Sequence, residues 1–228
     1  MIRPKRLYLY EEVLLLALRN EKGTIASGFA EYAVAGAVLA ELLLEGRIAV
    51  EDAKKQLVTL RNLQPIDDPI VDECMRRMAA GRKRASLKTW LGRLAGIKDL
   101  RHKVARRLCD RGILRADEDK VLLLFTRRVY PEINPAPERE IVERVRAAVF
   151  TDEPRLEPRT VVLISLAHGA DLLGENFGRR TVRSRKKRIE QIVNGELTGK
   201  ATKEVIAACQ AAVTVAVMVP VIVAATSN

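Results

Sequence analysis

Aromatic residues and cysteines are scarce in this 228-residue sequence. Phe, Trp and Tyr together make up 4% of the chain, so a core has to be built from Ala, Val and Leu, which suits closely packed helices. Three cysteines, Cys74, Cys109 and Cys209, are too few and too widely spaced for a disulfide framework or a zinc cluster. Their number favours a reducing compartment.

Histidine is also rare, and the motifs of common enzyme classes are missing. The chain has 2 histidines and no Gly-x-Ser-x-Gly, His-Glu-x-x-His or phosphate-loop spacing. We therefore predict no catalytic residues, no metal site and no cofactor. The sequence indicates a protein that is not an enzyme.

Positive charge, by contrast, is in excess. The chain carries 40 Lys and Arg against 29 Asp and Glu, which gives a formal net charge of +11. Such a surface favours a polyanionic partner, which leaves nucleic acid, an anionic membrane or an acidic protein open. The 48% of hydrophobic residues is enough for a sizeable core, so disorder is excluded for most of the chain.

Helical periodicity recurs along the sequence and predicts one mainly α-helical domain over residues 1–228. We expect about nine helices and one or two short hairpins, because strands and helices do not alternate as a parallel sheet requires. The helical patterns cover residues 9–18, 31–45, 70–80, 86–96, 99–111, 138–150, 161–173, 189–193 and 202–225.

The basic residues cluster in segments that few acids interrupt. Residues 179–188, which we call the basic segment, contain seven Lys or Arg and no acid. Because solvated helix faces usually mix both signs of charge, we predict that this segment binds anions. Its candidate headgroup ligands are Arg183, Arg185 and Lys186. A second cluster contains Lys98, Arg101, Lys103, Arg106 and Arg107.

Two apolar stretches each allow two interpretations. Residues 121–125 begin a predicted hairpin over about 121–131, and Leu122, Leu123, Leu124 and Phe125 either insert into a membrane or form a buried strand. After Glu204 the chain has no charge. A helix over about 202–225 is therefore either buried all round or a membrane anchor.

Four stretches are similar in order and spacing to the Golgi phosphoprotein 3 (GPP34) family. They are residues 9–16 (LYEEVLLL), 41–48 (ELLLEGRI), 111–114 (RGIL) and 166–173 (LAHGADLL). The resemblance extends from about residue 7 to about residue 217. It implies a helical domain with a projecting β-hairpin, and a non-catalytic, cytoplasmic protein that associates peripherally with membranes.

The resemblance also implies partners and a site. The family recognises phosphatidylinositol 4-phosphate through a basic pocket, binds cytoplasmic tails of membrane proteins, and includes members that self-associate. The pocket falls here on Lys98 and Arg101, and the hairpin falls on about residues 121–131. A tryptophan and an arginine that complete the pocket in relatives are replaced by Ala26 and Ala35. Together with the Ala/Val/Arg-rich composition, these departures indicate a bacterial member of the family.

The sequence therefore predicts a peripheral protein that binds anionic lipid headgroups through a basic surface and an apolar hairpin. One alternative is a nucleic-acid-binding protein that uses the basic segment, although aromatics for base stacking and a recognition module are missing. The other alternative is a tail-anchored membrane protein.

Overall fold

The computed structural model describes residues 6–19, 23–25, 30–51, 55–66, 68–81, 83–121, 125–198 and 206. Helix α1 (Leu9–Leu16) is buried along its whole length, and it packs most extensively on α2 (Ala30–Leu44). Both helices are apolar on nearly every side, which is the pattern of a helix surrounded by other helices. They form the centre of the core.

The remaining helices of the described ranges surround this central pair. Most of them are amphipathic and turn Leu, Val and Ile towards α1 and α2, so that a single hydrophobic core results. They are α3 (Pro69–Ala79), α4 (Leu87–Ala95), α5 (Leu100–Asp110), α6 (Ala136–Phe150), α7 (Pro158–Gly169), α8 (Leu172–Phe177), α9 (Arg179–Ser184) and α10 (Lys186–Val193).

Three small antiparallel hairpins complete the described structure. In the third, Asp117 pairs with Val129 and Val121 pairs with Phe125. The strands are β1 (Leu18–Arg19) with β2 (Thr24–Ile25), β3 (Ile48–Glu51) with β4 (Leu57–Leu60), and β5 (Asp117–Val121) with β6 (Phe125–Val129). The predicted fold class, a single mainly α-helical domain with β-hairpins, is confirmed.

Buried ion pairs tie the first turn of α1 to the surrounding helices. The Glu11 carboxylate, fully buried, accepts from Arg111 at 2.7 Å and from Arg107 at 3.2 Å. The Glu12 carboxylate lies 2.8 Å from Nη2 of Arg144. Burial raises the pKa of both carboxyls, and the arginines oppose that rise. The two acids thus connect α1 to α5 and α6.

The structure corrects several predicted boundaries. The predicted hairpin over 121–131 begins four residues earlier, at Asp117, because β5 is a polar strand that has no hydrophobic pattern. The helix predicted over 161–173 is two helices, α7 and α8, separated at Asp171, which has a φ of +57°. Leu18, the last residue of the helix predicted over 9–18, lies instead in strand β1. The predicted C-terminal helix over about 202–225 lies outside the described residues apart from residue 206.

Candidate functional site

The two residues predicted from the family pocket lie where α5 begins. Lys98, in the turn between α4 and α5, is exposed and has no ion pair among the described residues. Arg101, in the first turn of α5, is only 28% exposed, and its Nη1 lies 2.9 Å from Oε1 of Glu31. The charge of Arg101 is therefore largely balanced within the protein, whereas that of Lys98 faces solvent.

Glu31 lies in the first turn of α2, on the helix that was expected to contribute to the pocket. Ala35, one turn further along, is fully buried and contributes neither charge nor a hydrogen bond. Ala26, the other replaced position, lies outside the described residues. Helix α2 therefore supplies an acid to this site, and the arrangement of bases expected from relatives is incomplete.

The β5–β6 hairpin begins beside these residues. Nη1 of Arg128 lies 3.4 Å from Oδ1 of Asp99, which precedes α5. Nδ1 of His102 lies 2.9 Å from the hydroxyl oxygen of Tyr130, the residue that follows β6. The hairpin and the start of α5 are thus held together by an ion pair and a hydrogen bond.

Gly23 makes a third connection at this point. The backbone N–H of Tyr130 donates to the Gly23 carbonyl oxygen at 2.7 Å. A Cβ on Gly23 would lie 2.0 Å from the Tyr130 carbonyl carbon, and the φ of Gly23 is +63°. Only glycine satisfies both the conformation and the close approach. The turn at Gly23 is therefore held against the end of β6.

The surroundings of His102 disfavour a proton on its ring. Burial lowers the pKa of the His102 imidazole, and the charges of Arg101 and Arg128 lower it further. Because the pKa of an unperturbed histidine is already about 6.5, this ring is neutral at pH 7 and available for its hydrogen bond with Tyr130.

The apolar residues predicted to insert into a membrane are only partly described. The backbone of Phe125 pairs with Val121 at the far end of the hairpin from Tyr130. Leu122, Leu123 and Leu124 lie outside the described residues. Their predicted insertion stays a prediction.

The basic segment is divided between structural and exposed side chains. Nε of Arg185 donates to the carbonyl oxygen of Val149 at 3.0 Å, and Nη2 lies 2.7 Å from Oδ1 of Asp152. Arg188 is buried, and its Nε donates to the Ala148 carbonyl oxygen at 3.1 Å. These two arginines cap the C-terminal end of α6, where carbonyl groups lack helical partners.

The exposed members of the segment differ in their ion pairs. Arg179 lies 2.9 Å from Asp171 and Lys186 lies 3.7 Å from Glu190. Three further cations are exposed and have no ion pair in the described part of the chain, namely Arg180, Arg183 and Lys187.

Short contacts place this segment at the same end of the bundle as the start of α5. Nδ2 of Asn176, in α8, donates to the carbonyl oxygen of Leu16 at the end of α1 at 2.9 Å. Glu175 lies 3.4 Å from Arg19 of β1 and 3.7 Å from Arg179. Since β1 and β2 connect α1 to α2, this end unites the starts of α2 and α5 with α8 and α9. We call it the cationic end and define it by four exposed cations that have no ion pair among the described residues, namely Lys98, Arg180, Arg183 and Lys187.

Metal clusters, the Cys74 thiol and membrane-spanning helices are the other candidate features within the described ranges. No group of three or more His, Cys, Asp and Glu side chains there is arranged to hold a metal ion. Burial raises the pKa of the Cys74 thiol to about 12, which keeps it protonated. Of the helices in these ranges, none combines the length and the apolar character that a bilayer crossing requires.

Comparison with known proteins agrees with this architecture. The family model of Golgi phosphoprotein 3 (GPP34) matches residues 9–209. The chain belongs to this family. It is similar to the vacuolar protein sorting-associated protein 74 of Eremothecium gossypii, with 26% identity over 205 residues that cover 75% of this chain.

The GPP34 chain described here covers 61% of the length of that relative. The family is in general one of non-catalytic proteins associated peripherally with the Golgi. The predicted family is therefore confirmed, while the bacterial origin stays a prediction. The family resemblance singled out Lys98 and Arg101, which stay predicted site residues, but not the Glu31 carboxylate that pairs with Arg101, since no sequence pattern connects residues 70 positions apart.

Proposed function

We propose that this GPP34 protein associates reversibly with anionic membrane surfaces, and that the cationic end faces the lipid. The proposal depends on one observation, namely that four exposed cations without ion pairs in the described structure and the base of the β5–β6 hairpin share one end of the bundle. One flat anionic surface can contact both features. The function is binding rather than catalysis.

The charges at this end are sufficient for reversible binding. A basic residue near a membrane that contains anionic lipid contributes about 1 kcal/mol. Four such residues then contribute about 4 kcal/mol, which corresponds to a dissociation constant of ~1 mM before any apolar insertion. Insertion of Leu122, Leu123, Leu124 and Phe125 would strengthen this binding, as burial of apolar surface does at membrane interfaces.

The phosphate contacts are best assigned to a subset of the predicted residues. Lys98 and Arg183 are exposed and unpaired within the described structure, so they remain in the proposed surface. Arg185 is occupied by its contacts with α6, and Lys186 has Glu190 nearby. Arg180 and Lys187 take their places in our proposal.

By family membership, phosphatidylinositol 4-phosphate is the lipid that the pocket would bind. Arg101 shares its guanidinium with Glu31 and Ala35 adds no donor, so few groups converge on one phosphate here. Lys98 offers a point charge rather than a planar pair of donors. We therefore propose that binding follows the charge density of the membrane more than the identity of the headgroup.

Cellular location and protein partners are proposals of the same kind. We propose a cytoplasmic, peripherally membrane-associated protein, whose partners include cytoplasmic tails of membrane proteins and further copies of itself. The supporting observation is the similarity to a vacuolar protein sorting-associated protein, of which this chain covers 61%.

Vesicle co-sedimentation tests the membrane proposal. The variant Arg180→Gln/Arg183→Gln/Lys187→Gln removes three charges from the cationic end, and we expect it to bind phosphatidylserine-containing vesicles about 30- to 150-fold more weakly. Its matched control, Arg76→Gln/Lys88→Gln/Arg139→Gln, removes the same residue types from exposed positions on α3, α4 and α6. The proposal would be contradicted if the two triple variants weakened binding equally, or if the wild-type protein pelleted equally with neutral and with anionic vesicles.

Two further arms separate the alternatives. The protein should bind with similar affinity to vesicles that contain phosphatidylinositol 4-phosphate and to vesicles that contain phosphatidylserine at equal total charge. A strong preference for the phosphoinositide would contradict charge-driven binding. Duplex DNA added to vesicle-bound protein should compete poorly. Complete displacement by DNA at equal phosphate concentration would favour the nucleic-acid alternative instead.

A further inference from the structure

A cleft at the other end of the bundle is separate from the cationic end. It lies between the N-terminal segment before α1, the end of α5 and the start of α6, and it encloses about 720 Å³. This volume is within the usual range for small-molecule sites. Its lining comprises Arg6, Leu7, Glu12, Arg111, Ile113, Asn134, Ala136, Pro137, Glu140, Ile141 and Arg144.

One wall of the cleft is apolar. Ile113, Pro137 and Ile141 line it, and the chain next to it carries Ile133, whose side chain is 55% exposed. The N–H of Ile133 donates to the Ile113 carbonyl oxygen at 2.9 Å, so Ile133 extends this wall outwards. Exposed apolar surface that is continuous with a cleft favours a ligand that has an apolar part.

The polar side of the cleft contains three guanidinium groups from three different segments. Two of them are fixed in place, because Arg111 is held by Glu11 at 2.7 Å and Arg144 by Glu12 at 2.8 Å. Glu12 is the single hydrogen-bond partner of Arg144 within the described ranges, so this guanidinium retains donors without an acceptor. Fixed guanidinium groups are suited to carboxylate and phosphate recognition.

The net charge of the lining limits what the cleft can hold. The lining contains three arginines and two glutamates, Glu12 and Glu140, but Arg111 is also paired with Glu11, and the exposed Arg6 lies 3.6 Å from Glu157. Little positive charge is therefore left over. The N-terminal end of α6 opens into the cleft through Ala136 and adds the positive end of its helix dipole. One anionic group is therefore favoured over a polyphosphate.

We propose that this cleft binds a small amphiphilic monoanion, in which a carboxylate or a phosphate monoester is carried on a short apolar group. Arg144 and Arg6 contact the anion, and Ile113, Pro137 and Ile141 contact the apolar group. The cleft lies at the opposite end of the bundle from the cationic end, so this proposal does not rest on membrane binding.

Titration calorimetry with simple probes tests this proposal on the full chain. Octanoate and octyl phosphate should bind at least tenfold more tightly than acetate, which lacks the chain, and than octylammonium, which has the opposite charge. A preference for octanoate identifies a carboxylate ligand and a preference for octyl phosphate identifies a phosphate monoester. Equal binding of octanoate and octylammonium, or of octanoate and acetate, would overturn the proposal.

Substitutions locate the binding within the cleft. We expect Arg144→Gln to weaken octanoate binding about tenfold or more, but this variant also leaves the buried Glu12 with less compensation. Ala136→Phe, at an exposed lining position, fills the cleft without touching the ion pairs, and it should reduce binding by a similar factor. Arg139→Gln, on the same helix but outside the lining, should bind normally. If Ala136→Phe bound octanoate as tightly as wild type, the binding site would not lie in this cleft.

Discussion

At the scale of single residues, the strength of the candidate lipid site depends on acids that accompany its bases. Arg101 occupies the position expected from relatives, yet Glu31 at 2.9 Å balances its charge within the protein. A surface ion pair of this kind contributes little to stability, because both side chains are partly solvated. Its larger effect is on the charge that α5 presents to solvent.

Removal of the Glu31 charge should therefore strengthen membrane binding. In Glu31→Gln the guanidinium of Arg101 becomes available, and one added effective cation is worth about 1 kcal/mol, or about fivefold in vesicle affinity. Co-sedimentation with phosphatidylserine vesicles measures this effect. The control is Glu143→Gln on the exposed face of α6, which removes an equal charge elsewhere. If both variants gain equally, the effect is one of net charge and Arg101 does not lie at the lipid surface.

A pair of carboxyls near the start of α6 should make stability depend on pH. Burial raises the pKa of Glu132 to about 7, and the charge and hydrogen bond of Glu138 add to this rise. The folded state holds this proton more tightly than the unfolded chain, in which a glutamate has a pKa of about 4.3. The stabilisation is present below the unfolded-state pKa and is lost as the pH rises through about 7.

Urea denaturation of wild type and Glu138→Gln at about pH 5 and about pH 8 measures this dependence. The stability of the variant minus that of wild type should be about 1 kcal/mol greater at about pH 8 than at about pH 5. This value allows for solvent screening of a partly exposed pair. Glu140→Gln, also on α6, should show no such pH-dependent difference. A difference of the same size in both variants would mean that the pair does not share a proton.

At the scale of secondary-structure elements, the sequence predicts helices with strong periodicity and misses elements that tertiary contacts decide. The α1 and α2 patterns and the Asp68–Pro69 start of α3 were predicted to within two residues. Strand β5 is polar, and its ladder with β6 depends on a partner strand rather than on its own pattern. Similarly, a run of arginines predicts a charged surface and cannot show that Arg185 and Arg188 cap α6.

Stability measurements should distinguish the arginines of the basic segment that cap α6 from those that are exposed. Arg188 donates to the carbonyl oxygens of Ala148 and Glu153, at 3.1 Å and 2.7 Å, in a buried position. Arg188→Gln should lower the free energy of unfolding by about 2–3 kcal/mol, because the α6 carbonyls lose charged donors. Arg183→Gln, at an exposed position that has no ion pair among the described residues, should change it by less than about 0.5 kcal/mol. Urea denaturation compares them, and similar losses in both would refute the division of the segment.

At the scale of the whole molecule, charge is distributed differently at the two ends of the bundle. The cationic end exposes its unpaired bases, whereas acids and arginines are paired around the first turn of α1. Sequence alone placed Glu11 and Glu12 near a helix N-terminus but could not show their burial, because their arginine partners are about 100 or more residues away. Long-range pairing of this kind emerges only from the folded chain.

Arg159 is the residue that most directly unites these helices, and its removal should destabilise the molecule as a unit. Its side chain is 6% exposed, and its Nη1 lies 2.7 Å from Oε1 of Glu41 in α2. Nη2 donates to the Leu7 carbonyl oxygen at 2.6 Å, and Nε lies 3.6 Å from Glu12 of α1. One guanidinium on α7 therefore neutralises acids of both central helices.

Arg159→Met leaves buried Glu41 without its closest cation, and we expect it to lower the free energy of unfolding by about 3–5 kcal/mol. Because α1, α2 and α7 share one core, urea unfolding should remain a single transition at a lower midpoint, and circular dichroism and tryptophan fluorescence should report it together. Arg155→Met, an exposed neighbour in sequence, is the control and should change stability by less than about 0.5 kcal/mol. A loss in Arg159→Met as small as in this control would show that the buried pairs do not hold the central helices together, and separate transitions by the two probes would show that α7 unfolds independently.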